Sequence, residues 1–304
     1  MTWTIERGSR DYPPALTQLA TAEQPARLHG AGRREAIALL QAEPVVTIVG
    51  SRRASAYGLR VAQRLARDLA HAGVVIVSGM ACGIDGGAHR GALDGGGTTV
   101  AVLANGPDVV YPETNRDLYE RIVATGAIVS EHPPGVVARR HFFTERNRIM
   151  AALAEVVVLV EAAQPSGSLV TADWAAKLGR TVGAIPGQVG VRVAEGTNDL
   201  LQAGAHVIRD ARDILDLLFG VGVEPEGRRL AAAPNPRPGP PLDERLAAVL
   251  DLVASGAGTV DGLSLEAALE PRDAASALAR LELLGYVRAD ALGGFRATEL
   301  ERPP

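Results

Sequence analysis

Six short runs of apolar, mostly β-branched residues recur through the first two-thirds of the chain. They are VVTIVG (45–50), VVIVSG (74–79), TTVAVLA (98–104), AIVS (127–130), VVVLVE (156–161) and TVGAIP (181–186). Each is near-continuously apolar rather than alternating, the pattern of strands covered on both faces. Between the first two lies GLRVAQRLARDLAHAG, in which Val61, Leu65, Leu69 and Ala72 recur at helical spacing and Gly73 suits a C-terminal cap. Strands alternating with helices predict βαβ units. The fold class is therefore α/β, a Rossmann-like, doubly wound, mostly parallel sheet over 45–220. Residues 1–44 read as a short lead-in.

The pattern changes after residue 220. Residues 221–241 hold six of the chain's 19 prolines and read as a semi-rigid, extended linker. Beyond it, helical periodicity returns at 242–255, 261–269 and 271–285, followed by the short strand-like stretches YVRAD and GFRAT. Three helices and a β-ribbon in so few residues predict a small winged-helix domain over 242–300.

Composition narrows the function classes. The chain has 304 residues, 47% hydrophobic and 22% charged, which is ordinary for a globular protein. It holds no apolar run of about 18 residues, so no membrane span is expected. MTWTIERGSRDYPP holds no apolar core of a secretory signal, and a cytoplasmic location is expected. Cys82 is the single cysteine, which rules out an internal disulfide and a Cys-based zinc site. No metal or cofactor is implied. The formal net charge is −4 and Lys177 is the only lysine among 31 basic residues. A nucleic-acid binder with this balance must concentrate its positive charge locally, and its phosphate contacts fall to arginine, which prefers planar, bidentate geometry.

Three loops at the carboxyl ends of predicted strands carry the candidate chemistry: GSRRASAYG (50–58), SGMACGID (78–85) and EAAQPSGSLVTA (161–172). All are rich in small residues, and free backbone N–H groups at such turns bind anions. None is a standard nucleotide fingerprint. A second feature is RRHFFTERNR (139–148), with four arginines and two of the chain's four phenylalanines. Arginine tracking phosphates, interleaved with rings on which bases stack, suits single-stranded nucleic acid. One of the two rings is expected in the core, leaving Phe143 available.

Catalytic constellations are scarce. Cys82, among small residues, reads as packing. His89 follows Asp85 by one helical turn, so the two could pair, with a structural hydrogen bond between loop and helix the expected role. Leu200 and Leu201 in GTNDLLQAGAHVI (196–208) are candidates for a two-fold interface or, equally, for the core.

At these loops the chain resembles the DNA-processing protein A (DprA/Smf) family. The matching stretches include VGSRRASAYG, VSGMACGIDGGAHRGAL, AVLANGPDVVYPETNRDLY, SEHPPG, FTERNRIMAAL, VVVLVEAAQPSGSLVTADWAAKLGR, AIPG and GTNDLLQAGA, in order over about 45–205. Thr144 stands where a proline is usual and Asn105 where a glycine is usual. The resemblance implies a non-catalytic homodimer that binds and protects single-stranded DNA and helps load a RecA-type recombinase during natural transformation. Carried over, the DNA contacts would come from Ser51 and Arg52, from Arg140, Phe143, Arg146 and Asn147, and from Ser166, Gly167 and Ser168. Two alternatives share the fold. One is a nucleotide phosphoribohydrolase, whose P-G-G-x-G-T-x-x-E signature is loosely echoed by PSGSLVTAD (165–173), with Asp173 at the carboxylate position. The other is a nucleotide-sensing module. The presumed recognition helix of the winged-helix domain, with Arg272 and Arg280 offset by Asp273 and Glu282, is weakly basic, which suits protein interaction or support better than groove reading.

Overall fold

The computed structural model describes residues 2–221, 239–255, 258–267, 269–289 and 294–298. Most of the expected linker, residues 222–238, lies outside them. The chain divides into two compact units at residue 231.

In the first unit the elements run β1 (Thr2–Glu6), β2 (Arg27–Gly32), α1 (Glu35–Ala42), β3 (Val45–Val49), α2 (Ala56–His71), β4 (Val75–Ser78), α3 (Ile84–Asp94), β5 (Thr99–Leu103), α4 (Arg116–Thr125), β6 (Ala127–Ser130), α5 (Arg140–Leu153), β7 (Val156–Leu159), α6 (Gly167–Lys177), β8 (Thr181–Ala184), α7 (Glu195–Gln202), β9 (His206–Val207) and α8 (Ala211–Phe219). Nine strands form one sheet in the order β1-β2-β6-β5-β4-β3-β7-β8-β9. From β6 to β9 every pairing is parallel, while β2 joins β6 and β1 joins β2 antiparallel. All six strands expected from the apolar runs are present. The segment before Val45 supplies two further strands and a helix, so it extends the sheet.

The four central strands are buried at every position, as their unbroken apolar runs require. One core lies on each face. Val45, Val49, Val77, Val102 and Leu159 point to the face covered by α5 and α6. Val46, Ile48, Ile76 and Val158 point to the face covered by α2, α3 and α8. Helix α2 buries Ala62, Leu65, Ala66 and Leu69 and ends at Gly73, whose φ of +79° is the left-handed cap the sequence anticipates. Truncating Leu65 or Leu69 would cost about 2–5 kcal/mol. A Cβ at Gly91 would sit 2.1 Å from the Gln63 carbonyl oxygen, so α3 approaches α2 closely only because that position is glycine.

Leu200, on α7, is half-buried against the first core, and Leu201 is half-buried as well. Beside α7 the short strand β9 forms the sheet edge with both residues exposed. No helix among the described residues is long and apolar enough to cross a membrane.

In the second unit, α9 (Glu244–Ser255), α10 (Val260–Glu266) and α11 (Pro271–Leu283) precede the antiparallel ribbon β10 (Val287–Ala289) and β11 (Phe295–Ala297). Leu246, Val249, Leu263, Leu278, Leu281 and Tyr286 form its separate core.

Candidate nucleic-acid interface

Strand order reverses between β3 and β7. These strands are neighbours, yet the connections leaving them run to opposite halves of the sheet, which opens a crevice at their carboxyl ends. Three loops are fastened together there. The Ser51 N–H donates to the Glu161 carbonyl at 2.6 Å, and the Ile84 N–H donates to the Ser51 carbonyl at 3.2 Å. The buried Glu161 carboxylate accepts from the Ser55 N–H at 2.9 Å and from its hydroxyl. The Ser55 hydroxyl oxygen in turn caps α2 by accepting from the Gly58 N–H at 3.0 Å. Gly83, at φ +78°, allows the close approach, since a Cβ there would lie 2.2 Å from the Ser51 carbonyl oxygen.

Above the crevice lies a cavity of about 860 Å³. It brings together all nine residues singled out from the sequence: Ser51, Arg52, Arg140, Phe143, Arg146, Asn147, Ser166, Gly167 and Ser168. They fall into three groups.

The first group is the rim. The Arg52 guanidinium sits 4.5 Å from the Phe143 ring centroid, and Phe143 lies 5.5 Å from the ring of Tyr111, which is 45% exposed. The cation–ring contact is worth about 0.5–1 kcal/mol at an exposed site and fixes the guanidinium beside an aromatic platform. Arg52, Arg53, Arg140 and Arg192 are exposed and line the cavity. None of the four forms an ion pair among the described residues.

The second group is the first turn of α6. Ser166 is its N-cap, and its hydroxyl oxygen accepts from the Ser168 N–H at 3.3 Å and lies 2.8 Å from the Ser168 hydroxyl. The turn presents the positive end of the helix dipole to the cavity.

The third group forms the floor, and here direct contact gives way to internal bonding. Arg146 is only 6% exposed. Its Nη1 donates to the Gly79 carbonyl at 2.7 Å and to the Val102 carbonyl, tying α5 to the ends of β4 and β5. A Cβ at Gly79 would collide with this guanidinium. Burial lowers the pKa of Arg146 to about 10 even with the nearby Asp85 carboxylate favouring its charge. Burial likewise raises the pKa of Asp85, against the pull of Arg146. The Asn147 amide donates to the Gly167 carbonyl at 2.9 Å, joining α5 to α6. That carbonyl is the one the Thr171 hydroxyl would bond one turn back along α6, and the buried Thr171 hydroxyl is left without a partner. Arg146 and Asn147 therefore shape the cavity from beneath.

Three expectations are corrected. Neither phenylalanine is core: both are half-buried, and Phe142 lies between the rings of His132 (3.9 Å) and His141 (4.5 Å) at the start of α5. Cys82 is exposed rather than packed, because the turn before α3 directs it outward, 3.8 Å from the Thr114 hydroxyl. Asp85 and His89 do not bond each other. The Asp85 carboxylate accepts from the Ala81 N–H at 3.4 Å, which closes the loop. His89 Nδ1 meets the Thr99 hydroxyl at 2.7 Å. Because that hydroxyl donates to the Ile76 carbonyl, Nδ1 carries a proton and donates to it. Burial lowers the His89 pKa to about 3.

Sequence reasoning missed Arg53, Tyr111, Glu161 and Arg192. Arg53 and Tyr111 were within reach, one adjacent to Arg52 and the other an aromatic in a matched stretch. The carboxylate of Asp173 is exposed on α6 and does not line the cavity. No group of three or more metal-ligating side chains occurs among the described residues.

A doubly wound sheet with a cation-rimmed, aromatic-walled crevice at its switch point defines a member of the Rossmann-like α/β class. Residues 3–219 match the family model for DNA recombination-mediator protein A, and the chain belongs to this DprA/Smf family. It is 43% identical over 242 residues to the putative DNA processing protein DprA of Mycobacterium tuberculosis, covering 78% of this chain and 60% of that relative's length. Among solved structures, DNA processing protein A of Streptococcus pneumoniae superposes with a TM-score of 0.66 at 36% identity, covering 70% of this chain and 73% of that one. The protein from Helicobacter pylori, solved for its single-stranded DNA binding mode, gives 0.64 at 30% identity, covering 72% of this chain and 95% of that one.

Proposed function

We propose that the chain binds single-stranded DNA in the switch-point cavity and performs no covalent chemistry on it. In this role it protects the strand and helps load a RecA-type recombinase during recombination or natural transformation. One observation carries the reading: four arginines without ion-pair partners among the described residues surround a single cavity in which the Arg52 guanidinium and the tilted Tyr111 ring both lie against Phe143. Unpaired guanidiniums suit a ligand that supplies its own anions, and exposed rings suit one that supplies unpaired bases. Within this reading Ser51, Arg52, Arg140, Phe143, Ser166, Gly167 and Ser168 contact the strand, while Arg146 and Asn147 hold the contact residues in place.

The cytoplasm is the expected location and a homodimer the expected assembly. The open β9 edge beside Leu201 supports the latter, and sedimentation as a monomer at micromolar concentration would remove it. The second unit reads as a winged-helix module that supports or recruits. Its Arg280 faces Asp243 at 3.8 Å and its Arg245 is paired with Asp273 at 2.9 Å, so two of its guanidiniums are offset by carboxylates.

A salt titration of binding to matched single- and double-stranded oligonucleotides tests the function. Single strands should bind more tightly, with log affinity falling against log salt by about 0.7 per phosphate contacted. Equal affinity for both forms would defeat the reading. So would release of free base from nucleoside monophosphates by the purified protein.

A further inference from the structure

Along the carboxyl edge of the sheet, the cavity walls follow strand order. Arg146 bonds the ends of β4 and β5, Ser51 and Arg52 follow β3, and Ser166 to Ser168 follow β7. The loop after β8 comes next, and it reaches the same cavity through Arg192 and Val193.

This loop is firmly held at its base. The Asn198 side chain brackets Gly187, accepting from its N–H and donating to its carbonyl, both at 3.1 Å. The Gly196 N–H donates to the Ala162 carbonyl at 2.8 Å, and the Thr197 hydroxyl donates to the Ala194 carbonyl at 3.1 Å. At its tip the loop turns through Gly190, at φ +83°. Around that turn it exposes Val189 (90%) and Val191 (40%) directly beside the unpaired Arg192. A loop held at its base that brings one free guanidinium and Val193 to the cavity, and that exposes two further valines just outside its lining, has the composition of a further nucleotide subsite.

Resting on the single-strand reading, we infer that the loop 187–194 extends the DNA track past the α6 turn. Arg192 takes a backbone phosphate there, and Val189 with Val191 covers the face of an adjacent base. The strand then runs across the ends of β5, β4, β3, β7 and β8.

Oligothymidylates from about 4 to about 16 nucleotides, the range of site sizes of single-strand binders, provide the test by fluorescence anisotropy. Arg192→Ala should weaken the longest oligomer about tenfold and lower its salt slope by about 0.7, with a clearly smaller loss on the shortest. Arg192→Lys should retain most of the affinity and all of the slope. Val189→Trp, at a position exposed enough to accept it, should lose fluorescence when the long oligomer binds and keep it with the short one, a response that a purely structural role for the loop would not give. Failure of the wild type to bind any length would overturn the underlying reading. Normal wild-type binding with Arg192→Ala unaffected at every length, or with Val189→Trp unresponsive, would overturn the extension alone.

Discussion

Arginine does opposite work in the two units. In the second, Arg245 and Arg280 each face an aspartate on a neighbouring helix or its lead-in, and their charge is spent within the fold. Around the first unit's cavity, Arg52, Arg53, Arg140 and Arg192 are exposed and form no ion pair among the described residues, while the carboxylate in the lining, Asp85, is buried at the floor beside Arg146. A chain of net charge −4 can still concentrate positive charge locally where its exposed carboxylates lie elsewhere. The lesson is that the count of basic residues in a segment says little. The position of the nearest acid decides whether a guanidinium is structural or free.

That contrast can be broken most forcefully at the floor. Arg146→Ala removes the donor to two buried carbonyls and leaves Asp85 without its compensating charge, so stability should fall by about 3–5 kcal/mol in a denaturant titration. An unchanged midpoint would show that Arg146 belongs with the rim. Acid sharpens the comparison next. All six histidines precede residue 231, and His89 is buried in its neutral form. Its folded pKa is depressed, so the stability it lends is full above about 6.5 and is lost as pH falls towards about 3, by roughly 1.4 kcal/mol per pH unit. The first unit should therefore lose stability on acidification, by on the order of 3 kcal/mol at two units below 6.5, and His89→Gln should flatten that dependence in calorimetry.

At the rim, Arg52→Ala should weaken single-strand binding ten- to a hundredfold, about 1.5–3 kcal/mol, and reduce the salt slope by about 0.7. Phe143→Ala should cost about 1–3 kcal/mol with the slope unchanged, because a stacked base displaces no counterion. The smallest effect belongs to the paired set. Arg280→Ala should change both binding and stability by less than about 1 kcal/mol, since its partner is exposed and 3.8 Å away. A large loss of binding on that substitution would move the main DNA site to the second unit.

Much of this was legible in the chain, for identifiable reasons. A strand buried on both faces writes itself as an unbroken apolar run, which is why the strands from β3 to β8 were readable. β1 and β2 were not, because TWTIE and RLHGAG mix polar residues and glycine where the sheet is only partly covered. The dense motif at 139–148 announced the cavity's main wall. It could not say that Arg146 and Asn147 point down while Arg140 and Phe143 point out, since that division depends on where α5 lands on β4, β5 and α6. Cys82 was misread because small neighbours do not reveal which side of a turn faces water. Arg192 carries no local signal at all: a lone arginine among glycines and valines becomes part of the cavity only through the pairing of β8 with β7.

The bond network around Glu161 has a consequence for speed. The turn bearing Arg52 is fastened at Ser51 by the backbone that follows β7 and at Ser55 by the buried carboxylate, so the turn is already in its final shape when a strand arrives. Ordering a mobile loop would otherwise take about 0.5–1.5 kcal/mol per immobilised side chain out of the affinity and slow productive encounters. On the proposed single-strand reading, a chain built this way would capture a strand on first contact, with the lifetime of the complex governed by escape rather than by rearrangement.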